Sequence, residues 1–296
     1  MEDQKTITAP DPANPLGVNG LEFVEYATSR PEKLGAVLEK LGFVRLAHHR
    51  SREVFLYRQG TMNVIVNADP EAVSGITADA EDTQISAVAI RVADANRAYR
   101  HTVALGAWPI PTRAGAMELN IPGIHGVGDS IIYLVDSQRN FSIYDVDFNY
   151  YPGPREVPPV VPGLHFFGLV QYIGPDRSAE WVDFYQQLLG FRALPHGQHF
   201  GILPSGTILE SACRQFYLQL VEPVGDAAYD VEWNEQFSRL AFGAPQVMPV
   251  VDALQARGVG FEDNDFVKPS DKGAVTAPLL PGVDFELVPN PSTAAR

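Results

Sequence analysis

The chain has 296 residues, 45% of them hydrophobic and 20% charged, a composition that builds an ordinary packed core and excludes disorder, collagen and coiled coil. Its 22 Lys and Arg against 36 Asp and Glu leave a formal charge of −14, which argues against nucleic acid or an anionic membrane as a standing partner, since both need a basic face. No run approaches the roughly 20 apolar residues of a membrane span.

The start, Met1-Glu2-Asp3-Gln4-Lys5, has neither the basic nor the apolar region of a signal peptide. Cys213, the single cysteine, cannot make an internal disulfide, which suits a reducing compartment. The expectation is a cytoplasmic protein acting on a small molecule, with a second copy of itself as its macromolecular partner.

In chain order, a strand over 21–27 leads into an amphipathic stretch, 30–41, that stops at Gly42, and β-rich runs follow at 54–58 and 63–67. The order then repeats. A strand over 85–92 precedes a helix over 93–105 and Gly106, with β-rich runs at 130–135 and 142–148. A strand over 165–173 precedes a helix over 177–189 and Gly190, with a β-rich run at 216–221. The last unit opens around 240–242 and carries a helix over 247–257 before Gly258. Each glycine stands where a helix needs a left-handed residue after its last turn.

The unit is therefore βαβββ, written four times in an α+β chain, with the two halves offset by about 150 residues. A Pro-rich stretch separates them. The expected domains are residues 1–152 and 164–296, joined by an extended linker over 153–163.

Particular residues carry a resemblance. The run Asn14-Pro15-Leu16-Gly17-Val18-Asn19-Gly20, then His49-Arg50-Ser51, Leu56-Tyr57-Arg58-Gln59-Gly60, Met117-Glu118-Leu119-Asn120-Ile121-Pro122 and Ile143-Tyr144-Asp145-Val146-Asp147-Phe148, resembles the first half of bacterial 4-hydroxyphenylpyruvate dioxygenases. The second half is similar to the family's catalytic half more loosely. The resemblance implies the vicinal-oxygen-chelate fold, in which βαβββ modules pair into open barrels, here two. It also implies a structural N-terminal half and a C-terminal half holding one Fe(II) on two His and one Glu.

Carried over residue by residue, Gly163-Leu164-His165-Phe166 matches the strand of the first ligand, placing it on His165. Gly282-Val283-Asp284-Phe285-Glu286-Leu287 matches the last strand, placing the carboxylate ligand on Glu286. In Phe237-Ser238-Arg239-Leu240-Ala241-Phe242, Arg239 stands where the second His is expected. Val221 occupies the place of a substrate-binding Asn, and 273–280 has no counterpart of the family's Gln. The sequence ends soon after Glu286, where the family continues into a helix over its site.

A guanidinium keeps its proton in a protein and has no lone pair for a metal, so Arg239 leaves the iron triad incomplete. It would replace the metal's charge, pair with Glu286 and bind the carboxylate of a keto acid. The other reading shifts the register by one, turning Arg239 to solvent and Ser238 inward. His165 is either a metal or substrate contact or a core histidine bonded to a carbonyl. Gln219 shares a strand face with Tyr217 and Val221 and is a candidate pocket group, as is Ser238. His196 and His199 read as structural, as do His48 and His49, and no nucleotide loop or nucleophile elbow occurs.

Three functions follow from these residues: an iron dioxygenase for an aryl α-keto acid or related small aromatic acid, a metal-independent enzyme with Glu286 as base and Arg239 as anchor, or a binding protein without turnover. In each, the pocket is expected in the C-terminal half. The N-terminal half is expected to be filled, because Glu22 and Tyr144 stand at the positions equivalent to His165 and Glu286.

Overall fold

The computed structural model describes residues 11–74, 83–111, 118–136, 142–195, 197–198, 200–202, 206–223 and 234–290. The first unit runs β1 (Leu21–Thr28), α1 (Pro31–Lys40), β2 (Val44–His49), β3 (Val54–Gln59) and β4 (Met62–Asn67), followed by the short α2 (Pro70–Ser74). Helix α1 starts on a proline, whose missing N–H costs nothing at that position, and buries Leu34, Val37 and Leu38 at helical spacing. The second unit holds β5 (Thr83–Val92), α3 (Ala95–Ala104), β6 (Gly123–His125), β7 (Ile131–Asp136), α4 (Tyr144–Asp147) and β8 (Phe148–Tyr150).

The third unit comprises β9 (His165–Tyr172), α5 (Ser178–Leu189), β10 (Arg192–Ala193), β11 (Thr207–Glu210) and β12 (Tyr217–Val221). The fourth comprises β13 (Gln236–Ala244), α6 (Val247–Gln255), β14 (Ala274–Val275) and β15 (Phe285–Pro289). Gly42, Gly106, Gly190 and Gly258 take φ of 97°, 99°, 73° and 84°, so α1, α3, α5 and α6 are each followed by the expected left-handed residue.

The pairing repeats with the units. Each first strand lies parallel to a later strand of its own unit: β1 to β4, β5 to β7, β9 to β12 and β13 to β15. First strands of successive units pair antiparallel, β1 with β5 and β9 with β13. A single pair, Phe237 with Ile85, joins β13 to β5 and makes one mixed sheet of the whole. The principal core includes Leu34, Leu38, Tyr185, Leu189, Val250 and Leu254 from the helices together with one face of the strands. The other face carries two separate clusters, one per half.

One expected strand is a helix instead. Within 142–148, the Ser142 hydroxyl accepts the Tyr144 N–H at 3.3 Å, and Asp147 accepts the Leu119 N–H at 3.0 Å and pairs with Arg50 at 3.3 Å. One local bond and two to distant residues turn the backbone into α4 before β8 begins. Residues of 153–163 lie against the β3–β4 turn, where Gln59 accepts the Val160 N–H at 2.9 Å and Gly60 donates to the Val157 carbonyl at 2.6 Å. Among the described residues, no helix is long and apolar enough to cross a membrane.

Between α5 and the sheet, Tyr185 donates its hydroxyl to Gln171 Oε1 at 2.6 Å, with both residues buried. The Gln171 amide nitrogen has no hydrogen-bond partner. Tyr185→Phe then leaves the whole amide unbonded and is expected to cost about 1–3 kcal/mol, read as a lower urea midpoint at unchanged slope.

Candidate functional site

The inner face of the C-terminal half is lined by Phe167 of β9, Ile208 of β11, Tyr217 of β12, Ala241 of β13 and Val288 of β15, with Leu194 and Phe200 packed against them. Phe167 stacks on Tyr217 with centroids 4.9 Å apart, and Phe200 closes on both rings at 5.2 and 4.7 Å. Side chains alternate along a strand, so residues two away from these share their face. Arg239 lies two before Ala241, Gln219 two after Tyr217, and Glu286 two before Val288 and level with Ala241. Three of the residues expected at the site are therefore brought together against an aromatic wall. Ser238 is half-buried at the register shift between Phe237 and Arg239, and this bulge turns Arg239 inward.

The expected pairing of Arg239 with Glu286 is corrected. Arg239 Nε donates to Asp284 Oδ2 at 2.6 Å. The parallel register explains the choice: Leu240 stands opposite Phe285, so Arg239 is level with Asp284, whereas Glu286 is level with Ala241. Asp284 was absent from the expected set, although its spacing of two from Glu286 puts both carboxylates on one face. Asp284 also sits at the seam of the two halves, where burial of the Tyr26 phenol, and then the Asp284 charge, push that phenol up.

Glu286 is 2% exposed, and the backbone of Gly201 lies so close to its carboxylate that a Cβ has no room there. Burial lifts its carboxyl to about 7 against the pull of Arg239, and Asp284 adds to the rise.

His165 lies at the start of β9, opposite Gly243, with Nδ1 bonded to the Gly163 carbonyl at 2.9 Å. The bond to a carbonyl is the one the structural reading calls for, but the residue is only half-buried and is not a core histidine. Its ring borders a cleft of about 400 Å³ between the halves, shared with Thr61, Arg91, Arg214 and Asn290. His196 and His199 lie outside the described residues.

The donors present do not fit the Fe(II) that the resemblance implies. His165 and Glu286 supply two, and Arg239 brings a guanidinium, which repels a cation, to the third position. Among the described residues, no three His, Cys, Asp or Glu side chains cluster as a metal would need.

The N-terminal half departs from expectation as well. It is not filled: a cavity of about 1090 Å³ opens there, bordered by Phe23, Glu25, Arg52, Asn67, Tyr133 and Tyr144 among others. Its apolar cluster covers only part of the inner face, and polar side chains at Glu25, His49, Asn67 and Glu118 hold the remaining walls apart. His49, expected to be structural, is 8% exposed in that wall, edge-on to Phe148 at 5.3 Å, and its imidazole is held below its ordinary range by burial.

Residues 13–149 match the family model for the N-terminal part of hydroxyphenylpyruvate dioxygenase. A 4-hydroxyphenylpyruvate dioxygenase from Pseudomonas sp. (strain P.J. 874) is 35% identical over 263 residues, covering 87% of this chain and 70% of that protein. Among solved structures, a fusion protein of a xylose isomerase-like TIM barrel and a 4-hydroxyphenylpyruvate dioxygenase superposes with a TM-score of 0.72 at 22% identity; the chain is covered completely and spans 53% of the fusion. A triple mutant of 4-hydroxymandelate synthase from Streptomyces coelicolor gives a TM-score of 0.69 at 16% identity, covering 92% of each chain.

Proposed function

Because the chain belongs to the 4-hydroxyphenylpyruvate dioxygenase family, we propose that it acts on an aryl α-keto acid or a related small aromatic acid in its C-terminal half, through chemistry that does not use the family's iron. The observation that carries this reading is Arg239: a guanidinium turned inward at the position expected for a ligand, held by Asp284 through Nε alone. Its terminal nitrogens, as donors, suit a substrate carboxylate, while Phe167, Phe200 and Tyr217 offer the ring a wall. Gln219 and Ser238 stand beside it as polar contacts.

The repeated strand pairing supports a reading as two open barrels, residues 1–152 and 164–296, with 153–163 between them. In the second of these, Glu286 takes a proton from the carbon next to the keto group. The C–H electron pair becomes the C=C bond of the enolate, and the keto oxygen collects the charge beside Arg239 and is protonated by water. The product is the enol; return of the proton regenerates the keto acid.

The test is deuterium exchange at C3 of 4-hydroxyphenylpyruvate in D₂O, followed by NMR. The native protein is expected to speed exchange above the buffer rate, Glu286→Gln to lose the acceleration, and Arg239→Met to raise KM at least tenfold. Family membership favours iron-dependent oxygenation as the second reading. Stoichiometric iron held after purification with added Fe(II), together with oxygen uptake on the same substrate, would establish that reading and overturn the first.

A further inference from the structure

The N-terminal cavity is outside anything the enolisation uses, and its walls are chemically organised. Glu25 of β1 is half-buried in its wall with Asn67 of β4 and Ser86 of β5, which both donate to the same oxygen, Oε1, at 3.0 Å. No cation reaches Glu25 within ion-pair distance among the described residues. Arg52, the nearby arginine of the wall, pairs with Glu118 at 2.7 Å, and its charge also acts on Glu25. A carboxylate drawn partly out of water with no cation in direct contact is costly, and here burial pushes its titration up despite both hydrogen bonds and the Arg52 charge.

Apolar and aromatic groups surround the carboxylate. Phe23 and Tyr133 lie 6.0 Å apart at a tilt of 48°, and Tyr144 and Phe148 form a second pair at 5.9 Å. The hydroxyls of Ser130 and Tyr144 are buried behind this wall, with the Glu22 carboxylate near the Tyr144 phenol. The wall also holds Asp69, Glu71 and Asp129, then Asp147 and Glu235, paired with Arg50 and Arg177, and the imidazoles of His49 and His125.

We propose that this cavity is a second ligand site, for an organic ammonium compound with an aromatic ring. Glu25 receives the ammonium group, and the Phe23 and Tyr133 rings flank the aromatic body. Ammonium beside aromatic faces gains from both the ion pair and the ring quadrupoles, more so where water is excluded. The same wall repels an aryl carboxylate. The two halves thus take opposite charges: an acid at Arg239, an amine at Glu25.

The probes are tyramine, its neutral analogue 2-(4-hydroxyphenyl)ethanol and its anionic analogue 4-hydroxyphenylacetate, titrated calorimetrically into the full chain. Tyramine is expected to bind once per chain, at least tenfold tighter than the alcohol, with the acid showing no binding at this site. Glu25→Gln keeps both hydrogen-bonding neighbours and the shape, and is expected to weaken tyramine at least tenfold while C3 exchange on 4-hydroxyphenylpyruvate is unchanged. In the native protein, ring protons of bound tyramine should give NOEs to Phe23 and Tyr133. Absence of saturable tyramine binding, equal binding of the alcohol, full affinity in Glu25→Gln, or NOEs to Tyr217 instead would each overturn the proposal. Because the exchange assay is independent of these readouts, failure here leaves the C-terminal reading standing.

Discussion

Replacing Asp284 by alanine is expected to destabilise the protein by about 3 kcal/mol. The Arg239 side chain is 13% exposed and that of Asp284 25%, and their contact is a charge-assisted bond of 2.6 Å. Removing one member of a buried pair typically costs about 3–5 kcal/mol, because the other charge stays in a poorly solvated place. Both groups here keep some water, so the lower end applies. For a chain of this size that corresponds to a fall in Tm of roughly 6–12 °C.

The double variant Arg239→Met with Asp284→Ala removes both charges from an apolar neighbourhood and should recover most of the loss. Unfolding in urea checks both. If Asp284→Ala alone shifts the midpoint by less than the equivalent of about 0.5 kcal/mol, the pair does not anchor Arg239, and the carboxylate-binding role assigned to that guanidinium loses its support.

The four helices and their order were legible because helix ends are written locally. A helix needs a left-handed residue after its last turn, and glycine at 42, 106, 190 and 258 marks that need without reference to the rest of the chain. The face of Arg239 was legible through the match of 237–242. Its partner was not, because pairing across parallel strands depends on register: a shift of two residues exchanges Asp284 for Glu286, and both are carboxylates. The segment 142–148 misled because Ile143, Tyr144, Val146 and Phe148 favour strands, while the bonds that bend it reach Leu119 and Arg50, distant in sequence.

The N-terminal cavity was hidden for a related reason. Glu22 and Tyr144 were read as plugs by analogy with His165 and Glu286. Yet the polar residues that keep the wall open, Glu25, Asn67 and Ser86, come from three strands and acquire meaning only when these pair.

The opposite sign is expected for Glu286→Gln, which should gain stability above neutrality while losing exchange activity. The folded protein holds this carboxyl near 7, against 4.5 for the free group, chiefly because burial disfavours its charge. Between about pH 4.5 and 7 the folded chain therefore binds more protons than the unfolded one. The stabilisation this confers is fully present below pH 4.5 and is lost as pH rises through 7. The full difference is about 3 kcal/mol.

Glutamine cannot ionise and does not incur that loss, but its amide brings two donors into a tight place beside Gly201 and Arg239, which offsets part of the gain. The net expectation is a variant about 1–2 kcal/mol more stable than the native protein at pH 8 and no more stable at pH 4, with the slope between pH 5 and 7 flattened. Urea unfolding at intervals of one pH unit reads this directly. An unchanged slope would mean that Glu286 titrates like a solvated carboxylate and is not held ready as a base. A flattened slope with exchange intact would leave the pH dependence explained but move the base elsewhere. A carboxyl kept at a cost to the fold and needed for proton removal has both signatures at once, whereas Asp284→Ala weakens the fold by leaving Arg239 without its partner.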